Sequence, residues 1–283
     1  MSPVVAAAVL LAAFTHAGWN ALAKSIKDQL LAFTLIGGCS AVIAAVTACF
    51  APLPRAAAWP YLIASVLLHI GYQALLMRSF TLGEFGQMYP IARGTAPLVV
   101  SVAAVLFVGE RLTPWMLTGV AVASAGLAGV ALWGIRGSGT RPHWPALLAA
   151  LATGLSIAAY TVVDGVGVRA SGTPIGYVAW LLAMQGLLIP AYAWYRFRGT
   201  LLTRLRPHVG RGFLGAVLSL IAYTLVLWAQ TRAPLAPVAA LRESSIIVGA
   251  AIGALFFKER FGGPRIVAAG LMVVGIGLML RAG

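Results

Sequence analysis

Apolar residues run along this chain in blocks of about twenty, and prolines, glycines or charges mark the seams between blocks. A helix needs about 20 mostly apolar residues to cross a bilayer. Ten runs meet that length, at roughly 3–24, 30–51, 58–80, 85–108, 114–134, 144–166, 174–196, 210–232, 234–257 and 264–281. Pro52, Pro54, Pro60, Pro114, Pro142, Pro145, Pro174, Pro207, Pro234 and Pro264 stand at or near their ends. The runs are continuous rather than ten-residue alternations, so they predict helices and not the strands of a membrane barrel. The first run follows Met1-Ser2-Pro3, which lacks a basic leader, and it reads as a span rather than a secretion signal. No stretch between runs exceeds about 20 residues, which leaves no room for a soluble domain.

Composition sharpens this picture. Of 283 residues, 61% are hydrophobic and 9% charged, and the mean hydropathy is +0.94. A soluble domain carries about 25% charged residues, so a soluble enzyme, a disordered tail and a disulfide-stapled secreted fold are excluded. Cys39 and Cys49 stand ten residues apart in one run, about 15 Å along a helix, too far for a disulfide. The net charge of +14 would suggest nucleic acid in a soluble protein. Here lysines and arginines flanking membrane spans account for it, and no nucleic-acid partner is expected.

The chain also repeats itself. Gly109-Glu110-Arg111 and Lys258-Glu259-Arg260 stand 149 residues apart, and the same offset carries Arg93 onto Arg242 and Thr95 onto Ser244. Pro114 and Pro264 follow the charged turns, and Gly119 and Gly126 answer Gly270 and Gly277. At an offset of 140, His16, Asn20 and Lys24 fall on Ser156, Tyr160 and Asp164. At 150, His69 and Gln73 fall on Ser219 and Tyr223. The expected fold is therefore an all-α integral membrane protein of ten transmembrane helices in two five-helix repeats, 1–138 and 139–283. Five is odd, so the second repeat enters the membrane from the opposite side and the repeats are inverted. Secondary transporters commonly have this architecture, with the substrate held near the midplane between the halves.

Polar groups within the spans are where function is sought, because a central charge costs about 2.5–3.5 kcal/mol on translocon scales unless it has water or a partner. His16, Asn20 and Lys24 recur every four residues on one face of the first span, with Trp19 beside them. Lys24 and Asp164 lie near enough to the expected helix ends to snorkel or to face the centre. The third span carries His69, Tyr72 and Gln73, and the sixth and eighth carry Tyr160, Tyr223 and Trp228. Trp59, Trp115, Trp133 and Trp144 read as interfacial anchors. The strongest candidates are Arg93, near Tyr89 in the fourth span, and Arg242, Glu243 and Ser244 in the ninth. A guanidinium fork suits a carboxylate, phosphate or phosphonate. Glu243 follows Arg242 directly, so on a continuous helix the two point about 100° apart and do not pair; Glu243 is expected to balance an arginine across the repeat interface. A permanent structural ion pair is the competing reading. Gly249 and Gly253 have the spacing of a close helix contact.

Tyr89-Pro90-Ile91-Ala92-Arg93-Gly94-Thr95-Ala96-Pro97, Gly109-Glu110-Arg111-Leu112-Thr113-Pro114, His16-Ala17-Gly18-Trp19-Asn20-Ala21-Leu22 and the second copy from Leu241 to Arg260 resemble the EamA-type transporters of the drug/metabolite transporter superfamily. The resemblance implies the five-plus-five fold and transport of small molecules such as amino acids, other metabolites, drugs or sugar phosphates. Glu243 and Ser244 stand where the first copy has Gly94 and Thr95, so the halves differ chemically at the centre.

The expected function is secondary-active export of a small anionic or zwitterionic metabolite, amino-acid-like or phosphonate-like, with protons as a candidate coupling ion. Export of aromatic or cationic drugs and intramembrane catalysis on a lipid-linked substrate are the alternatives. No metal-binding, nucleotide-binding or nucleophile motif occurs, so no catalytic residue, metal or cofactor is expected. The expected location is the cell (inner) membrane, with the lipid bilayer as partner and both termini on one side. Thirteen basic residues flank odd-numbered loops and five flank even ones, which places the odd loops in the cytoplasm. The family resemblance implies the reverse.

Overall fold

The structure, a computed structural model, describes residues 1–82, 85–137, 144–248 and 263–281. Its helices are α1 (Pro3–Lys24), α2 (Gln29–Phe50), α3 (Trp59–Leu82), α4 (Phe85–Ala103), α5 (Pro114–Gly137), α6 (Trp144–Ser171), α7 (Pro174–Gln185), α8 (Leu188–Phe197), α9 (Leu201–Leu205), α10 (Val209–Gln230), α11 (Leu235–Arg242) and α12 (Gly263–Arg281). No strand occurs among the described residues. Pro3–Ala23, Gln29–Phe50, Trp144–Ser171 and the stretch Pro174–Gln230 are long and apolar enough to cross a membrane. The close spacing of Gly249 and Gly253, and the second charged turn Lys258-Glu259-Arg260, lie outside the described residues.

Local signals set the helix starts. Ser2 Oγ accepts from Val5 N, Asp28 Oδ1 from Leu30 N and Leu31 N, and Thr173 Oγ1 from Gly176 N. Each satisfies backbone donors that have no partner within the first turn. Pro3 and Pro174 occupy the first helical positions, where their missing N–H costs nothing.

Three departures from the sequence expectation matter for function. First, α6 runs to Ser171, more than a turn past its expected end near 166. Second, the expected run 174–196 is divided at Gly186 into α7 and α8. Third, the run expected from 234 to 257 is interrupted, because α11 ends at Arg242 and Glu243 and Ser244 form a turn before helix resumes at Ser245. The amides of Ile246 and Ile247 bond only three residues back, to Glu243 O and Ser244 O, which tightens the backbone there.

The outer surface is apolar, with Phe50 87% and Phe107 82% exposed, whereas Arg93, Asp164, Arg242 and Glu243 are buried. That is the reverse of a water-soluble globule and the arrangement a lipid solvent selects. The strongest packing joins early helices to late ones. α1 lies on α10, α3 on α6, α2 on α7 and α10, α4 on α6, and α5 on α12. Small residues permit the close approaches. A Cβ on Gly119 would stand 2.6 Å from Gly275 O, and one on Gly275 would stand 2.6 Å from Gly119 O, so α5 and α12 touch backbone to backbone.

At one end of the bundle the connections are tied together. The last turn of α4 widens to a π-helix over Ala104–Val108, and Gly109 follows at φ 73°, a left-handed conformation that suits glycine. The reversal brings Glu110 to the start of α11, where Oε2 accepts from Leu235 N at 2.8 Å. Its Oε1 accepts from Arg169 Nη2 at 2.8 Å. Arg169 also donates to the carbonyls of Gln230 and Ala233, and Arg55 N donates to Ser171 O. The connections α2–α3, α4–α5, α6–α7 and α10–α11 thus share one stitched face.

Candidate functional site

Two polar clusters lie in the interior. The first forms where α4 meets the turn after α11. Arg93 Nε donates to Glu243 Oε2 at 2.6 Å, and Arg93 Nη2 donates to Ser245 Oγ at 3.4 Å. On the other side of the carboxylate, Arg242 Nε lies 3.6 Å from Glu243 Oε1. The three side chains are 4%, 1% and 7% exposed for Arg93, Glu243 and Arg242. The expectation that Arg242 and Glu243 do not pair is thus corrected: α11 ends between them, and the turn swings the carboxylate back toward its neighbour. The cross-chain partner expected for Glu243 is Arg93. Among the described residues Arg242 Nε and Nη2, Glu243 Oε1 and Ser244 Oγ have no hydrogen-bond partner. Two guanidinium groups therefore share one carboxylate in a buried place.

His16 of α1 lies nearest this cluster, and Trp19 and Asn20 bond to His16. Trp19 Nε1 donates to His16 Nδ1 at 3.3 Å, and Asn20 Nδ2 donates to His16 O at 2.8 Å. His16 is within electrostatic reach of Arg93 and Arg242. All three α1 side chains are half-buried. The side chain of Lys24 lies outside the described residues, as does that of Tyr89.

The second cluster joins α3, α6, α7 and α10. Asp164 is 1% exposed. Tyr177 Oη donates to its Oδ1 at 3.0 Å, and Tyr223 Oη donates to its Oδ2. His69 Nε2 faces Tyr223 Oη at 3.3 Å, and His69 Nδ1 lies 2.9 Å from Ser65 O. The His69 and Tyr160 rings stack with centroids 4.1 Å apart, and Tyr72 meets both edge-on. The clusters adjoin, since Arg242 is within electrostatic reach of His69 and Tyr160.

Most of the sequence candidates converge here: His16 near the first cluster, with Trp19 and Asn20 bonded to it; Arg93, Arg242, Glu243 and Ser244 within it; and His69, Tyr72, Tyr160 and Tyr223 in the second. Gln73 is half-buried one turn beyond His69. Trp228 stands apart, under the Arg232 guanidinium at 4.7 Å from its ring centre. Trp115 takes the same role at the surface under Arg281, while Trp59 packs inward on Trp180. Sequence reasoning left Asp164 between centre and surface and passed over Tyr177 and Ser65. The extra length of α6 moves Asp164 inward, and a lone tyrosine or serine in an apolar run carries no signal until its partner is known. A separate groove of about 330 Å³ between α2, α7 and α10 is lined mainly by apolar side chains such as Ile43, Val178 and Leu220 and does not include these residues.

Residues 144–281 match the family model of the EamA-like transporter family, part of the drug/metabolite transporter superfamily. Among 28 matching solved chains is one described simply as the crystal structure of a protein. It aligns with a TM-score of 0.70 at 19% identity and covers 99% of this chain and 96% of that one, a likeness of fold. No curated protein matches the chain.

Proposed function

From its membership of the EamA-like transporters, an integral membrane family that moves small molecules, we propose that this chain is a secondary-active exporter of a small anionic or zwitterionic metabolite. One observation carries the reading. The buried group Arg93–Glu243–Arg242 holds two cations and one anion, and Arg242 Nε and Nη2 have no acceptor among the described residues. A buried charge without full compensation is costly. A carboxylate or phosphonate bound to Arg242 supplies acceptors for Nε and Nη2 in bidentate geometry. Ser244 and the half-buried His16 and Asn20 offer further polar contacts, and the rings of Tyr72 and Tyr160 offer an apolar wall.

Alternating access in a ten-helix, five-plus-five inverted repeat is the proposed mechanism. Its support is the way contacts come in related couples. If α1 is equivalent to α6 and α3 to α10, then the α1–α10 packing is the counterpart of α6–α3. The α2–α7 and α5–α12 contacts are each their own counterpart. The stitched face around Glu110 and Arg169 is then the closed side in this conformation. The chain lies in the inner membrane with both termini on one side.

The reading is tested with purified protein in liposomes and a panel of amino acids and phosphonates. A ligand that binds the native state at 100 times its Kd raises stability by about 2.7 kcal/mol. Such a ligand is expected to raise the unfolding midpoint and to cross the bilayer unchanged, and Arg242→Ala is expected to lose both effects. Chemical conversion of the ligand would identify an enzyme. Protection by cations alone would favour drug export, for which the His69–Tyr72–Tyr160 rings are the supporting feature.

A further inference from the structure

We propose that the arginine-rich end of the bundle, between α8 and α10, binds the headgroups of anionic phospholipids. The proposal needs the chain to lie in a bilayer and does not depend on what it transports. Arg196, Arg198, Arg204, Arg206 and Arg211 fall within one short stretch, and no acidic residue stands between Asp164 and Glu243. All five arginines are exposed, and none has an ion-pair partner among the described residues. Asp28 precedes α2 at the same end, but its carboxylate caps the amides of Leu30 and Leu31. This end is opposite the stitched face, where α2 and α10 finish.

The stretch is a fixed ledge rather than a loose loop. Leu201 of α9 is buried and forms an apolar core with Leu31 of α2 and Ala193 of α8, and Leu30, Phe197 and Leu205 pack against it. Turns of 3-10 helix at Arg198–Thr200 and Arg206–His208 flank α9. Leu201 and Leu205 stand four apart on one helical face, so pinning them inward leaves Leu202, Thr203 and Arg204 outward. The Arg204 guanidinium lies over the Phe197 ring, 4.9 Å from its centre. A guanidinium held by its flat face keeps its N–H edges free for phosphate oxygens.

Depth in the membrane favours lipid as the occupant. Tyr192, Trp194 and Tyr195 of α8 are exposed just before the first of these arginines. Amphipathic rings collect where headgroups begin, so arginines beside and beyond them stand at the level of lipid phosphates. A zwitterionic headgroup brings an ammonium that the guanidinium groups repel, whereas an anionic headgroup brings phosphate charge alone. Near an anionic surface each basic residue raises affinity about fivefold. Cations at the stitched end are committed elsewhere: Arg169 bonds Glu110, and Arg232 lies over Trp228.

Lipid retention by the purified full-length protein in detergent, read by native mass spectrometry, tests this. Phosphatidylglycerol and phosphatidylcholine with the same chains are supplied in equal amounts. The wild type is expected to retain phosphatidylglycerol roughly tenfold or more over phosphatidylcholine. The combined variant Arg204→Gln, Arg206→Gln, Arg211→Gln is expected to bring that ratio near unity. Arg55→Gln, Arg111→Gln, Arg232→Gln, combined at the stitched end, is expected to keep the preference. If the first variant does not fold, Arg206→Gln and Arg211→Gln are each expected to cut the ratio severalfold, under the same criterion. No preference in the wild type, a preference that survives the ledge variant, or equal loss in both variants overturns the proposal. Displacement of the lipid by millimolar inorganic phosphate would make the ledge a site for a free anion and also overturns it.

Discussion

Arg93, Arg242 and Glu243 are unequal members of one charged group. Glu243 touches both arginines, so its loss takes a carboxylate from each, whereas loss of Arg242 removes the guanidinium whose Nε and Nη2 have no hydrogen-bond partner among the described residues. Breaking a buried pair from one side costs about 3–5 kcal/mol. Glu243→Gln is therefore expected to lower the thermal unfolding midpoint of the purified protein sharply. Arg242→Ala is expected to leave the midpoint unchanged or higher while abolishing ligand protection. A purely structural ion triad would give similar destabilisation in both variants. Asp164 is legible as a polar residue in an apolar run, but its two hydroxyl donors, Tyr177 and Tyr223, come from two other helices. Spacing within one helix carries no information about such partners.

The helices themselves are the most legible feature. Breakers and caps such as Asp28, Thr173-Pro174 and Pro114 mark their ends, and the apolar runs agree closely with α1, α2, α3, α5 and α10. What the pattern does not reveal is the break inside the run that begins at 234. Ala-Leu-Arg-Glu-Ser-Ser contains no glycine or proline, and tertiary contacts of Glu243 with Arg93 decide that the helix turns there. Helix contacts likewise depend on which glycine faces which. The repeat pairs Gly119 and Gly126 with Gly270 and Gly277, but in space Gly119 meets Gly275 and Gly126 meets Ala268. Gly275→Leu is expected to push α5 and α12 apart and destabilise by about 1–3 kcal/mol, the usual range for overpacking. Gly277→Leu points into open space and is expected to be nearly neutral in the same thermal assay.

Over the whole molecule, the stitched face joins Glu110, which the sequence shows as part of a repeated charged turn, to Arg169, which it shows only as a loop charge. Glu110 reaches an amide 125 positions away and Arg169 a carboxylate 59 away. If this face is the closed gate of an alternating-access cycle, Arg169→Ala frees Glu110 and loosens the gate. In a background lacking Cys39 and Cys49, a Ser244→Cys reporter is then expected to react several-fold faster with a membrane-impermeant maleimide added at that face. Unchanged labelling would mean that the face is a permanent floor.

Length and hydropathy by themselves settled that the chain is helical and lives in lipid, because a bilayer accepts only backbones that satisfy their own hydrogen bonds along each span. Internal offsets place Arg93 opposite Arg242 in the expected repeat, since a duplication would leave its register in the sequence. Only the fold decided that both arginines lean on Glu243, that Asp164 is buried beneath two tyrosines, and that Glu110 ties Arg169 to the start of α11. Those arrangements depend on which helices pack together and on where one of them breaks, and such choices are made by contacts between residues far apart in the chain.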